Sequence, residues 1–289
     1  MPDPTANIGE ERTSWANHDV LAFYRELPFN YRESPERHAA AIRSDDSASN
    51  YPALLPLLAS GRTRVLEVGC GSGWLSNGIA FHHGCEVSAI DFNPIAIRRA
   101  KDVAQTLGVS VHFEIADLFT FRPAKQADIA ISLGVLHHTD NCAAAVARMC
   151  REFIAPGGRV FIGLYHRYGR RPFLEHFARL RESGADERAL LRAYAALDRR
   201  FTDETHLKSW FRDQVLHPHE TQHTLSEMIP ILEDCGMILE STSINRFQPF
   251  RSYDELIAEE PKFAGLAENH LVKKNYFPGF FVFLARKRN

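Results

Sequence analysis

The chain has 289 residues, of which 45% are hydrophobic and 24% charged, and its 34 Lys and Arg against 36 Asp and Glu leave a formal net charge of -2. That is the size and composition of a globular protein with a sizeable core, not of a disordered chain, and the balanced charge argues against a protein built to grip a nucleic-acid backbone. No run approaches the roughly 18 apolar residues of a membrane span, and Met1, Pro2, Asp3 and Pro4 do not open a signal peptide, so the expectation is a cytoplasmic protein with neither membrane nor nucleic acid as a partner.

Residues 1 to about 60 read as a helical cap segment, with Trp15, Val20, Leu21, Phe23, Tyr24 and Leu27 at helical spacing and Ser34 followed by Pro35 as the cap and first position of a short helix. A further short helix holds Leu54 to Leu58. From Thr63 the chain alternates short apolar runs with amphipathic segments, the mark of a parallel sheet built from βα units. Strands are expected at 64–68, 86–90, 110–115, 127–133 and 158–165, and helices at 74–82, 94–107 and 140–154.

After Tyr165 the rhythm breaks, and helices near 172–182, 186–200 and 203–217 read as a lid inserted over residues 166–223. Thr224 to Glu227 is a capping box that opens a helix to about Cys235, and the apolar runs at 237–244 and 279–285 supply the last two strands. The expected fold is therefore α/β, a doubly wound, Rossmann-like, mostly parallel seven-stranded sheet. Residues 61–165 form its core and 224–289 complete it, with helical additions at the N-terminus and in the lid. Cys70, Cys85, Cys142, Cys150 and Cys235 are scattered with no Cys-x-x-Cys pair, which signals neither a disulfide framework nor a zinc site.

The strongest local signal is Val65, Leu66, Glu67, Val68, Gly69, Cys70, Gly71, Ser72, Gly73, Trp74, a buried strand running into a glycine turn and then a helix. Glycines at alternate positions permit positive φ and let the backbone pass close to a ligand. Dinucleotide-binding proteins space theirs Gly-x-Gly-x-x-Gly, whereas here the third glycine comes one residue early and Trp74 crowds the place of a pyrophosphate. Asp91 ends the second strand 22 residues after Gly69, where a carboxylate can accept from both ribose hydroxyls.

With these residues the stretch 63–165 resembles the class I S-adenosylmethionine-dependent methyltransferases. The resemblance implies that S-adenosyl-L-methionine is the cofactor, with Glu67, Gly69, Gly71, Gly73 and Trp74 at its methionine moiety and Asp91 on its ribose. Phe92 and Asn93 would flank the adenine, and Asp117 with Leu118 would bind the adenine amino group. Leu133 and Gly134 open the segment Leu133 to His138 that runs beside the sulfonium methyl, and Ala155, Pro156, Gly157 and Gly158 match the turn into the fifth strand.

Methyl transfer is an in-line displacement, helped by alignment, by exclusion of water and, where the nucleophile is protonated, by a base. Topology nominates His138, Tyr165 and His166, at the carboxyl ends of the fourth and fifth strands, to position or deprotonate the nucleophile. Phe29, Tyr31, His137, Arg167, Tyr168 and His217 are candidates for contacting the substrate. Arg167, Arg170 and Arg171 form either an anion-binding turn or a solvated one. His217, His219 and His223 are spaced too loosely to signal a metal site, so none is expected. The acceptor is read as a small molecule offering oxygen, nitrogen or thiol sulfur, with an RNA or protein methyltransferase as the alternative and a nicotinamide-dependent oxidoreductase behind it. The sequence carries no signal for an oligomeric state.

Overall fold

The computed structural model describes residues 17–288, so Trp15 lies outside the described residues. Before the sheet come α1 (His18–Glu26), α2 (Pro35–Ser44) and the single turn α3 (Leu55–Leu58). The Asn17 side chain caps α1 by accepting from Asp19 and Val20 N–H, and Ser34 caps α2 by accepting from Arg37 N–H, with Pro35 at the first position, where its missing donor costs nothing.

The alternating region then runs β1 (Arg64–Val68), α4 (Trp74–His83), β2 (Glu86–Asp91), α5 (Pro94–Leu107), β3 (His112–Ile115), β4 (Ala127–Leu133), α6 (Cys142–Arg148) and β5 (Ile154–Tyr165). The chain continues with α7 (Arg167–Glu182), α8 (Glu187–Leu197), α9 (Glu204–Phe211), α10 (Leu225–Asp234), β6 (Met237–Thr242), α11 (Tyr253–Glu259), α12 (Lys262–Val272) and β7 (Phe280–Lys287).

One seven-stranded sheet has the order β3-β2-β1-β4-β5-β7-β6. Strands β1 to β5 pair in parallel, and β7 is antiparallel to both β5 and β6. Alternate residues of β1 serve opposite faces: Leu66 and Val68 join the core beneath α6 and α10, and Val65 joins the one beneath α3 and α4. Because β1 lies between β2 and β4, the chain leaves its carboxyl end toward one face and that of β4 toward the other. The crevice between those exits is where an open α/β sheet binds its ligand.

The structure departs from the sequence expectations at several boundaries. The helix expected over 140–154 is α6 followed by a π-helical turn, Met149–Phe153. The Pro-Gly-Gly stretch lies inside β5, where pairing jumps from Ala127↔Ile154 to Ile129↔Arg159. Helix α7 starts at Arg167 rather than near 172, with Pro172 inside it, because His166 caps the helix and a proline this close to the start removes a single bond. Helices α11 and α12 are not among the elements expected from sequence. Phe263 of α12 lies against Gly169 of α7, and Leu271 and Tyr276 pack on the apolar cluster of Phe173, Phe177, Tyr194 and Phe211. No helix among the described residues is long and apolar enough to cross a membrane.

Candidate active site

A cavity of about 750 Å³ opens at the carboxyl ends of β1 and β4. Its floor begins with the turn after β1, where Gly69, Gly71 and Gly73 have φ of 75°, 53° and 78°. The three glycines serve different ends. A Cβ on Gly69 would strike the Val135 side chain at 2.4 Å, and one on Gly73 would strike Asn77 at 2.7 Å and Ala100 at 2.9 Å, so these two permit close packing. A Cβ on Gly71 would meet no protein atom within 4 Å, because it would project into the cavity.

Asp91 holds this turn. Its Oδ2 accepts from Gly71 N–H and its Oδ1 from Asn93 N–H, each at 2.8 Å, and burial pushes its carboxyl up to about 6. A carboxylate offers about four lone-pair sites, which leaves it acceptor capacity toward the cavity for two hydroxyls. Glu67 is buried one strand away, takes a short hydrogen bond from Ser76 of α4, and is pushed up to about 8 by burial. Asn93 caps α5 at Ile95 and donates from its amide to the Tyr24 carbonyl.

Of the residues expected at the cofactor, Glu67, Gly69, Gly71, Trp74, Asp91, Phe92 and Asn93 line the cavity. So do Asp117, Leu118, Leu133 and Gly134. Asp117 also accepts from Phe119 N–H at 2.9 Å, which fixes its loop. Gly73 does not face the cavity but packs between Asn77 and Ala100. The donor set fits an adenosyl cofactor that carries no phosphate: an acceptor carboxylate for a ribose stands behind a turn open at one glycine. Because Asp91 must be ionised to accept from both hydroxyls and its carboxyl is raised to about 6, adenosylhomocysteine affinity should fall as pH drops through that value. Calorimetry from pH 8 to 5 checks this, and Asp91→Asn should flatten the profile while lowering affinity throughout.

The same cavity also holds a polar chamber of Tyr24, His138, Tyr165, Asp213 and Gln214. Four separate parts of the chain meet here. Tyr24 comes from α1; His138 and Tyr165 come from the ends of β4 and β5; Asp213 and Gln214 come from a π-helical turn, Arg212–Leu216, that follows α9. Such turns re-aim side chains that a regular helix would point elsewhere.

The Asp213 carboxylate accepts from the Tyr24 hydroxyl in a short bond, from Gln214 Nε2 at 2.6 Å and from the Tyr165 hydroxyl at 3.4 Å. Burial raises the carboxyl of Asp213 and holds both phenols well above their ordinary range. His138 Nδ1 lies 2.8 Å from the His219 carbonyl, an acceptor only, so Nδ1 carries the proton and the buried Nε2 presents a lone pair without a partner. Burial pushes this imidazole down to about 3, so it is neutral. Neither Tyr24, Asp213 nor Gln214 was singled out from sequence as a site residue. The available signals were the aromatic spacing around Tyr24 and the lid read over residues 166–223.

The other candidates are placed as follows. His166 is not in the chamber: its Nδ1 accepts from Gly169 N–H as the cap of α7 and its Nε2 donates to buried Glu260 at 3.0 Å. This corrects its expected place beside the nucleophile, because both ring nitrogens are spent on joining β5 to α7 and α11. His137 is buried behind the chamber, with Nδ1 accepting from Tyr165 N–H, and its ring lies 4.1 Å from that of Tyr165. Phe29 lines the cavity and its ring packs 4.7 Å from Trp210. Tyr31 instead lies under the Arg99 guanidinium at 4.0 Å, Tyr168 is 39% exposed, and Arg167 pairs with Glu227 on the surface. Arg170, expected in a basic turn, is fully buried and paired with Glu220 at 2.7 Å.

His217 stacks on His138, with ring centroids 3.7 Å apart. His219 turns to the Thr139 carbonyl and His223 to Thr221, so the three histidines do not converge. His138, Asp213 and His217 place potential ligand atoms within 4.8 Å of one another. However, His217 Nδ1 accepts from His219 N–H, which puts its proton on Nε2, and stacked rings hold their nitrogens side by side rather than aimed at one point. The trio offers one free imidazole lone pair where a two-histidine metal site needs two.

Comparison with known proteins agrees with this geometry. Residues 65–158 match the family described as "Methyltransferase domain". Over 106 residues the chain is 35% identical to a ubiquinone biosynthesis O-methyltransferase of Ralstonia nicotianae, a match that covers 36% of this chain and 44% of that relative. The chain thus spans under half the length of that relative. Two solved structures share the fold. PKMT2 of Rickettsia typhi in complex with AdoHcy aligns with a TM-score of 0.58 and 12% identity over 83% of this chain and 53% of that one. A SAM-dependent methyltransferase of Methanosarcina mazei aligns with a TM-score of 0.51 and 16% identity over 82% of this chain and 98% of that one. The family match falls on the strands and turns that build the cofactor end of the cavity, and residues 65–158 are a methyltransferase domain similar to those of the class I S-adenosylmethionine-dependent enzymes.

Proposed function

We propose that this chain transfers a methyl group from S-adenosylmethionine to a small-molecule acceptor seated in the chamber of Tyr24, His138, Tyr165, Asp213 and Gln214. The observation that carries this reading is the continuity of one cavity from the glycine turn and Asp91 to that chamber. Its volume of about 750 Å³ is within the range of small-molecule sites and suits a cofactor and a modest acceptor together. The small-molecule O-methylation named for the Ralstonia relative supports the substrate class, on a match that covers 36% of this chain.

When bound, the cofactor supplies an electrophilic methyl on a sulfonium. The chain supplies placement and dryness. Tyr24 of α1 bonds to Asp213, Glu26 pairs with Arg212, and Asn30 Oδ1 takes hydrogen bonds from His206 and Trp210, so the N-terminal segment and the α9 region close over the cavity together. Water kept out of such a site strengthens every polar contact within it. His138 and the Asp213 carboxylate line the chamber and are the groups that orient the acceptor there.

The test is production of adenosylhomocysteine from purified protein, adenosylmethionine and a broad set of small acceptors. With a working acceptor, His138→Ala should lower turnover by about a hundredfold while adenosylhomocysteine affinity stays within about threefold of wild type. Wild-type kinetics in this variant and in Tyr165→Phe would put the acceptor elsewhere.

A further inference from the structure

Resting on the reading that this cavity holds adenosylmethionine and its acceptor, we propose that Arg32 is a carboxylate-binding residue of the cavity, placed to take the acid group of the cofactor's amino-acid tail or of the acceptor. Arg32 lies in the loop between α1 and α2 and lines the cavity together with Ser72 and Trp74 at the glycine turn.

The sequence builds a fixed mount for this side chain. Asn30 has φ of 52°, a left-handed value that asparagine tolerates, and its carbonyl accepts from the Ser72 hydroxyl at 3.5 Å. The Asn30 side-chain oxygen meets His206 and Trp210, Tyr31 N–H donates to Ser209 Oγ at 3.2 Å, and Glu33 N–H donates to Asp203 at 3.1 Å. The Arg32 carbonyl accepts from Arg99 at 2.8 Å. Residues 30–33 are thus tied to the α9 region, to α5 and to the turn after β1.

The guanidinium itself is left without an acceptor. It lies over the Trp74 ring, 5.1 Å from its centre, a contact that steadies the cation and uses none of its N–H groups. Among the described residues its Nε is buried without a partner, and the two terminal nitrogens, which keep accessible surface, enter no hydrogen bond or ion pair. Arg170, Arg200 and Arg212, by contrast, are each paired with a carboxylate.

The surrounding charges leave that capacity open. Asp203 is the carboxylate in the field of Arg32, but its oxygens accept from the N–H groups of Glu33, Thr205 and His206 as the cap of α9. Arg99 is turned to the Tyr31 hydroxyl. Burial pushes His38 down to about 3 and His206 down to about 4, so both imidazoles are neutral.

A carboxylate answers these features. It is planar, accepts two parallel N–H bonds from one edge of a guanidinium, and its single charge matches a single cation, whereas a phosphate's second charge would go unmatched. Two ligands of the proposed reaction can bring one. The cofactor's tail ends in a carboxylate, and the bond from Ser72 to Asn30 sets the Arg32 loop against the turn assigned to that tail. An acid group on the acceptor is the second source.

The test is calorimetry on the full chain with adenosylhomocysteine and its decarboxylated counterpart, which keeps the nucleoside and the amine and lacks only the acid. The wild type should bind adenosylhomocysteine about tenfold or more tighter than the counterpart. Arg32→Gln should lower adenosylhomocysteine affinity by a similar factor and leave the counterpart within about twofold, and Arg32→Lys should fall between, since an ammonium keeps the charge and loses the fork. A second arm titrates aryl and alkyl carboxylic acids and their primary amides into protein saturated with adenosylhomocysteine. An acid preference there that Arg32→Gln erases, with both adenosyl ligands unaffected, would assign the guanidinium to the acceptor's acid group. Wild-type protein that binds the counterpart as tightly as adenosylhomocysteine and prefers no acid to its amide would overturn the proposal, and so would preferences that survive Arg32→Gln. Wild-type protein that binds no adenosylhomocysteine would instead defeat the methyltransferase reading, and the proposal with it.

Discussion

Gly71→Val is expected to abolish adenosylhomocysteine binding in a protein that still folds. The residue has φ of 53°, which costs an L side chain about 1–2 kcal/mol, more when it is β-branched. That strain is local, because an added Cβ meets no protein atom within 4 Å. The branched side chain would instead occupy the cavity in front of the turn and displace Gly71 N–H from its 2.8 Å bond to Asp91, the carboxylate assigned to the ribose. Calorimetry should find no binding at concentrations that saturate the wild type, with a melting temperature lowered by only a few degrees. Gly71→Ala should fall between the two. Normal affinity in the valine variant would mean that the cofactor does not cross this turn. By contrast, Gly69→Val should fail by unfolding, since its Cβ would overlap the Val135 side chain.

Arg170→Ala should cost about 3–5 kcal/mol of stability, the usual penalty for removing one member of a buried ion pair. The guanidinium is fully buried, bonds both carboxylate oxygens of Glu220 at 3.0 and 2.7 Å, and reaches Gln214 Oε1 at 2.8 Å and the Gln214 carbonyl at 2.9 Å. Its other face lies 4.0 Å over the Tyr165 ring. Removing it strands Glu220 without its cation and takes away two of the bonds that fix Gln214, whose amide holds both Tyr165 and Asp213 at 2.6 Å. Urea denaturation should therefore show the stability loss, and the surviving folded protein should keep its adenosylhomocysteine affinity while its acceptor chamber loosens. A loss below about 1 kcal/mol would show that Glu220 reaches solvent once its partner is gone.

What sequence alone determined was the part of this protein governed by local rules. The β/α alternation from Thr63 to Tyr165, the strand running into Gly69, Gly71 and Gly73, and Asp91 at the end of the next strand each depend on residues within a turn or two of one another. Periodicity, glycine spacing and caps report on such neighbourhoods directly, so β1, β4 and α5 fall at their expected bounds and the cofactor end of the cavity was legible. Resemblance to a known family added the cofactor's identity, and it acts on that same stretch.

Tertiary structure decided the acceptor end, because its members are far apart in the chain and nothing local announces their meeting. The Tyr24–Asp213 bond joins residues 189 positions apart, and Asp213 lies in the π-helical turn that follows α9. His166 and His138 illustrate the limit most sharply. Both are histidines at the carboxyl ends of adjacent strands and indistinguishable by topology. Packing spends both nitrogens of His166 on Gly169 and Glu260, while the His219 carbonyl takes one nitrogen of His138 and leaves the other buried without a partner. A histidine's chemistry is set by whichever donors and acceptors surround its ring. Those neighbours came here from residues up to 94 positions away, at distances only the folded chain establishes.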